Sequence, residues 1–238
     1  LLVTAATPYL PTNMLITGAK YTLNDFAFVN AQWSDYTFIA VHKDKPYKTL
    51  KELIDAVKAN PGKLSTGFTF GSAGQISTMM LLEALGLPAN AVRSVTYDGG
   101  GPVRTALAGG HIDFSVVQGE GSETIRDFIR PLAVIREARA PEWDAPPINE
   151  ALKPMGITVP VLSGSIRAMA THASFRKKHQ QAFEKLTAAY KRVLENKEYQ
   201  AWLAANKIDG DWLGPEKTTA VLNANFEILK QYQHLLRK

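Results

Sequence analysis

Two short glycine-bearing stretches offer the most chemistry in this chain. Thr66-Gly67-Phe68-Thr69-Phe70-Gly71-Ser72-Ala73-Gly74-Gln75 reads as a strand, a small-residue turn and a helix start, with an apolar run from Ile76 to Leu85 behind it. Val95-Thr96-Tyr97-Asp98-Gly99-Gly100-Gly101-Pro102 has the same design. Both turns precede uncharged helix starts, and a helix start exposes unpaired backbone N–H groups and the positive end of a dipole. A carboxylate can be held there without a cationic side chain. The candidate contacts are the backbone at Gly71, Ser72, Ala73, Gly74 and Gln75 and at Gly99, Gly100 and Gly101, with the hydroxyls of Ser72, Ser77, Thr78 and Tyr97 adding hydrogen bonds and orientation.

Local alternatives compete with that reading. Ser72-Ala73-Gly74-Gln75 is also an S-x-x-Q capping box, which would satisfy some of the same N–H groups internally. Gly99-Gly100-Gly101 would serve equally as an ordinary strand-to-helix turn. Gly71-Ser72-Ala73-Gly74 is not a phosphate loop, because no Lys-Ser/Thr follows, and its spacing misses G-x-G-x-x-G. What favours an anion site is the pairing of two such turns within one α/β segment, since ligands of open α/β sheets collect at the carboxyl ends of strands.

Other chemistries find less support. The five histidines, His42, His111, His172, His179 and His234, are scattered, and none pairs with another ligand at metal-site spacing. Ser163-Gly164-Ser165 lacks the full G-x-S-x-G elbow of a hydrolase. Glu120 and Glu123 read as acids at a helix N-terminus rather than a general acid and base. There is no cysteine, which removes disulfides, thiolate chemistry and Cys-bound zinc and fits an exported or a cytosolic protein equally. The expectation is a non-catalytic binder with no metal and no cofactor.

The elements that position these residues alternate. Strands are expected at 1–4, 26–29 and 36–41, followed by a helix that Thr49-Leu50-Lys51-Glu52 opens as a capping box and Asn60-Pro61-Gly62 stops. Strands at 64–70, 92–97, 112–117 and 131–135 then alternate with helices, the one after Gly101 taking Pro102 as its first residue and closing at Gly109-Gly110. That alternation marks α/β architecture with parallel strands. Two extended pieces at 156–162 and 165–170 precede an end that is helical only, from Ser174 onward. Phe175, Phe183, Leu186, Tyr190, Val193 and Leu194 share one stripe there, and Val221, Leu222, Phe226, Leu229, Tyr232 and Leu236 another. The net charge of +5, from 27 Lys+Arg and 22 Asp+Glu, is dispersed without interleaved aromatics, so nucleic acid is not an expected partner. No apolar run approaches the roughly 20 residues of a membrane-spanning helix, and Leu1 to Thr7 is not an intact signal peptide.

From Val95-Thr96-Tyr97-Asp98-Gly99-Gly100-Gly101-Pro102 through Leu107-Ala108-Gly109-Gly110-His111-Ile112-Asp113, the chain resembles the extracytoplasmic solute-binding proteins of tripartite tricarboxylate transporters, often called Bug proteins. Lys48 to Ile54, Asn60 to Leu64 and Arg130-Pro131-Leu132-Ala133-Val134 agree in order and spacing. The resemblance implies a two-lobed α/β fold of the type II periplasmic-binding class, each lobe a mixed sheet flanked by helices. It implies lobe 1 at 1–45 and 163–238 and lobe 2 at 46–162, the latter carrying both glycine turns. The lobes would close around a di- or tricarboxylate, or another organic acid, and hand it to membrane transporter subunits. The resemblance further implies a monomer, exported to the Gram-negative periplasm, with its signal peptide removed. The family's first strand, glycine-rich turn and helix would lie before Leu1, a turn that normally supplies half of the carboxylate contacts. Met79 stands where the family commonly has His, and Asp98 where it frequently has Lys.

Two other classes of function compete. A ligand-sensing effector domain of a regulator shares the two-lobed plan, and a helix-turn-helix upstream would mark it. A hydrolase built on Ser163 or Ser165 would require a His–acid pair for which the sequence gives no spacing.

Overall fold

The computed structural model describes residues 2–206 and 208–235, so the ends of the expected elements at Leu1 and Leu236 lie outside the described residues. In chain order the strands and helices are β1 (Leu2–Thr7), α1 (Tyr9–Ile16), β2 (Phe26–Ser34), β3 (Thr37–His42), α2 (Leu50–Ala59), β4 (Ser65–Thr69), α3 (Ala73–Ala84), β5 (Arg93–Tyr97), α4 (Gly100–Ala108), β6 (Phe114–Gln118), β7 (Ile129–Ile135), α5 (Ile148–Leu152), β8 (Ile166–His172), α6 (Ala173–Lys178), α7 (Gln180–Leu194), α8 (Lys197–Ala205) and α9 (Gly214–Gln231). They form two compact units, one comprising the chain up to Asp35 and again from Ser165, the other Tyr36–Gly164. The protein is thus mixed α/β with two sheets flanked by helices, as the family resemblance implies. Among the described residues no helix is long and apolar enough to cross a membrane.

In the first unit β8 runs antiparallel to both of its neighbours, giving the order β1-β8-β2. Phe28, Ala31, Ile166, Ala168 and Leu222 pack on one face beneath α9. Ala27 and Val29 meet Phe183 of α7 on the other. Asn30, fully buried, ties the sheet to the start of α9: its Oδ1 accepts from the N–H groups of Leu213 and Gly214, and its Nδ2 donates to the Asp211 carbonyl. α1 is absent from the sequence expectation, which gives this region only strands; Pro8 caps the helix and Pro11 lies within it. Both prolines fall at its first turn, where a missing N–H removes no helical bond. On α7, Phe183 and Leu194 are buried as the apolar stripe predicts, whereas Val193 is half exposed.

The second unit holds a five-stranded sheet in the order β5-β4-β6-β3-β7. β4 pairs in parallel with β5 and β6, and β3 is antiparallel to β6 and β7. The carboxyl ends of β4, β5, β6 and β7 therefore share one edge with the start of β3. The expected boundary at 45/46 moves: Thr37–His42 lies between β6 and β7 in this sheet, so 36–45 belongs to the second unit and not to the first. β3 is buried on both faces, which only a central strand of a helix-covered sheet allows. Leu50, Leu53, Ile54 and Val57 of α2 fill one face together with Leu82, Phe114 and Val116. Val103, Ala106 and Leu107 of α4 fill the other with Phe38, Val117 and Trp143. The stretch 156–162, expected to be extended, pairs into neither sheet.

Candidate functional site

α3 and α4 both begin at this strand-end edge, one after β4 and one after β5. These two strands are parallel neighbours in register, with Thr69 opposite Tyr97. α3 and α4 lie on opposite faces of the sheet, so their starts approach the same edge from the two sides.

At the first turn only the serine half of the capping box is formed, and the Gln75 side chain reaches one residue further back than a box requires. Ser72 Oγ accepts from the Gln75 N–H at 3.3 Å, and Gln75 Oε1 accepts from the Gly71 N–H at 2.7 Å. The Ser72 N–H donates to the Thr69 carbonyl at 3.1 Å. Gly71 makes this reversal in the left-handed region, with φ of 70°. The backbone donors of Gly71, Ser72 and Gln75, expected to face a solute, are therefore internally bonded. The Ala73 and Gly74 N–H groups meet no acceptor among the described residues.

At the second turn the Gly99 carbonyl accepts from the Val103 N–H at 3.3 Å, while the N–H groups of Gly100 and Gly101 meet no acceptor among the described residues. The helix starts at Gly100, so Pro102 is its third residue and not the first. Four N–H groups, two from each helix start, thus lack an acceptor near one sheet edge, those of the buried Ala73 and Gly74 and those of the more exposed Gly100 and Gly101.

The expected hydroxyls divide. Thr78 is buried and donates through Oγ1 to the Gly74 carbonyl at 2.7 Å. Ser77 Oγ is buried with no hydrogen-bond partner. It faces a void of about 10 Å³ among Ile39, Met80, Ile135, Ile148 and Val159. The phase of α3 turns both residues into the protein, so neither reaches the edge as the sequence expectation had it. Ser72 stays at the turn as a cap. The half-buried Tyr97 ring lies over Gly67, with Cε2 2.9 Å from where a Cβ on that glycine would stand.

Sequence reasoning missed Arg104. Its guanidinium reaches the start of α4, with Nη1 3.2 Å from where a Cβ on Gly100 would stand. The signal was its position four residues after Gly100, because helical side chains lean toward the N-terminus. Tyr36 and Gly119 close the edge beside it: the Gly119 N–H donates to the Tyr36 carbonyl at 2.8 Å. Tyr36 Oη also pairs with Glu142, and Arg136 stacks on its ring at 4.7 Å.

No group of three or more His, Asp or Glu side chains poised to hold a metal ion is present among the described residues. Ser165 is buried and lends its carbonyl to the Asp35 N–H, and the His172 Nδ1 is engaged by Ser174.

A family profile described as "TctC: Tripartite tricarboxylate transporter family receptor" matches residues 3–224. The "UPF0065 protein in gbd 5'region" of Cupriavidus necator is 40% identical over 80 residues, which is 32% of this chain and 23% of that protein. The match thus spans less than a quarter of the length of that curated relative. A solved TctC solute-binding protein from Polaromonas, without ligand, superposes with a TM-score of 0.75 at 22% identity, covering 99% of this chain and 77% of that one. A protein of R. palustris solved with adipate gives 0.70 at 21% identity, over 89% and 69% of the two chains. MatC from Rhodopseudomonas palustris, solved with bound malate, gives 0.69 at 21%, over 95% and 75%. These likenesses establish the fold, and the profile spans nearly all of the chain. The chain belongs to the tripartite tricarboxylate transporter receptor family, a family of solute-binding receptors and not of enzymes.

Proposed function

We propose that this chain is an extracytoplasmic receptor that captures a small carboxylate and delivers it to the membrane subunits of a tripartite tricarboxylate-type transporter. One observation carries the binding half of that reading: the N–H groups of Ala73, Gly74, Gly100 and Gly101 are left without acceptors at one sheet edge. Paired helix starts offer an oxyanion both hydrogen bonds and favourable dipoles. In this reading the protein works as a monomer in the periplasm, and the family match to a tripartite tricarboxylate transporter receptor supports the transport role. The glycine-turn residues 71–75 and 99–101 form the binding edge in this reading, with Ser72 and Tyr97 bordering it and Ser77 and Thr78 supporting α3 from within.

Adipate and malate, the solutes of the two R. palustris structures, set the size of the first panel. Isothermal titration against di- and tricarboxylates and aromatic acids tests the reading. A saturable, stoichiometric heat with at least one acid is expected, and silence across the panel by a folded protein would sink it.

A further inference from the structure

We infer that the Asp98–Gly99 linkage is a site of spontaneous backbone modification, where isoaspartate forms and disables the α4 half of the strand-end edge. The effect on the edge rests on the reading above, in which both helix starts hold the solute; the modification itself does not.

The sequence has two Asp-Gly pairs, Asp98-Gly99 and Asp209-Gly210. In such a pair the glycine amide nitrogen can attack the aspartate Cγ, because no side chain on the glycine obstructs it. The new N–Cγ bond closes a five-membered imide, and the hydroxyl lost from Cγ leaves with the amide proton as water. A second water then opens the imide. Opening at the main-chain carbonyl leaves the chain running through Cβ and Cγ, one carbon longer than before, with the former main-chain carbonyl as a free carboxylate.

The structure separates the two pairs. Asp98 is exposed, and its carboxylate has neither a hydrogen bond nor an ion pair among the described residues. The Gly99 N–H likewise meets no acceptor there. Gly99 is extended, with φ of 172° and ψ of 171°, and only Pro102 Cδ, at 4.0 Å, comes near the place of a Cβ. Among the described residues nothing therefore holds the carboxyl away from the nitrogen or crowds the ring as it closes. At the second pair, Asp209 Oδ2 accepts from the Ser34 N–H at 3.4 Å, and the Asp209 carbonyl accepts from Gln32 Nε2 at 3.2 Å. The Gly210 carbonyl accepts from Gln200 Nε2 at 3.2 Å, and Leu203 Cδ1 stands 2.5 Å from where a Cβ on Gly210 would be. Ring closure there must break the Ser34 bond and turn a packed backbone against Leu203.

The place of Asp98 gives the reaction its consequence. Gly100 and Gly101, whose N–H groups lack acceptors, follow directly. One added main-chain carbon before them shifts both N–H groups relative to those of Ala73 and Gly74, and the carboxylate released beside them repels an anion.

The test incubates the folded protein at neutral pH and physiological temperature and maps its proteolytic peptides by mass spectrometry. Each time point is also titrated against the same panel of di- and tricarboxylates and aromatic acids. The imide reads as a peptide lighter by one water, and isoaspartate as one of unchanged mass that elutes separately. Isoaspartate is expected at Asp98 roughly tenfold faster than at Asp209, the ratio set by one or two hydrogen bonds that must break before closure. The fraction of protein able to bind solute is expected to fall in step with it. Asp98→Glu keeps the charge but needs a less favoured six-membered ring, and is expected to keep its own starting capacity throughout. Gly99→Ala, whose Cβ meets only Pro102, is expected to slow the reaction and stands in if the Glu variant does not fold. No isoaspartate at Asp98, equal rates at Asp98 and Asp209, or an Ala variant as fast as wild type overturns the inference. Isoaspartate with undiminished binding, or a parallel loss of binding in Asp98→Glu, overturns the effect on the edge. Fresh protein silent toward every acid overturns the carboxylate reading and that effect together, while the peptide map still decides the modification.

Discussion

Gly74 lies against the carbonyl oxygen of Val116 so closely that a Cβ on Gly74 would overlap it. That oxygen belongs to the backbone of β6 inside the sheet and has no freedom to move aside. The glycine lets the first turn of α3 seat directly on the strand, which places the Ala73 and Gly74 N–H groups at the edge. Gly74→Ala is expected to lift this turn, costing about 1–3 kcal/mol in urea unfolding and weakening solute binding in the same preparation. An alanine variant of unchanged stability and affinity would show that the close seating has no role.

Ser77→Ala removes a buried hydroxyl that has no partner. Leaving such a group unpaired costs about 1–3 kcal/mol, so the alanine variant should match or exceed wild type in stability. Solute affinity should stay the same, because Ser77 faces the void beside Ile39 and Ile135. A marked loss of affinity in titration would return Ser77 to the binding edge.

Asp113 binds three groups: Lys45 Nζ at 2.5 Å, the Ser65 N–H at 2.7 Å and Ser65 Oγ at 2.8 Å. Burial by itself would push its carboxyl up, but these bonds and the Lys45 charge outweigh it and hold the pKa below the ordinary carboxylate value. A carboxylate depressed in the folded state contributes stability that is fully present above its unfolded pKa, about 3.9. That stability is lost as pH falls through the folded value. Asp113→Asn is expected to cost about 1.5–3 kcal/mol at neutral pH. Urea titrations at a series of pH values should show the gap to wild type constant above about pH 5 and narrowing below about pH 4. A gap independent of pH would refute the role of the charge.

Asn30→Ala leaves the Leu213 and Gly214 N–H groups and the Asp211 carbonyl without their partner. Several buried bonds lost together should lower the stability of the first unit by roughly 2–4 kcal/mol. Hydrogen exchange should show the start of α9 opening first, while β4 and β6 in the other unit keep their protection. Uniform loss of protection across both units would contradict this.

What the sequence made legible was local. Thr49 and Glu52 announce α2, and the structure shows Thr49 Oγ1 accepting from the Glu52 N–H, with the Glu52 carboxylate accepting from the Lys48 N–H. Both glycine turns are legible as turns for the same reason, since glycine and small residues govern the backbone where they stand. β3 was assigned to the wrong unit because a strand's partners are distant in sequence: Phe38 pairs with Val117 and Val134, and no local pattern announces either. Ser77 and Thr78 were misplaced for a related reason, as helix phase relative to a sheet is set by packing such as that of Gly74 on Val116. The place of Arg104 was hidden because its neighbour Gly121 is brought to it only by the chain's return through β6.

The order in which β1, β2 and β8 appear along the chain has a consequence for biosynthesis. β8 is the central strand of the first unit's sheet, yet it begins at Ile166, after the whole of Tyr36–Gly164. As the chain emerges from the ribosome, the contiguous unit has everything it needs to form. β1 and β2 meanwhile present unpaired backbone edges, which is the condition that invites aggregation or chaperone capture. Completion of the protein is therefore a late event that waits on the C-terminal third, and truncations within that third are expected to leave a folded middle carrying an unfolded leader.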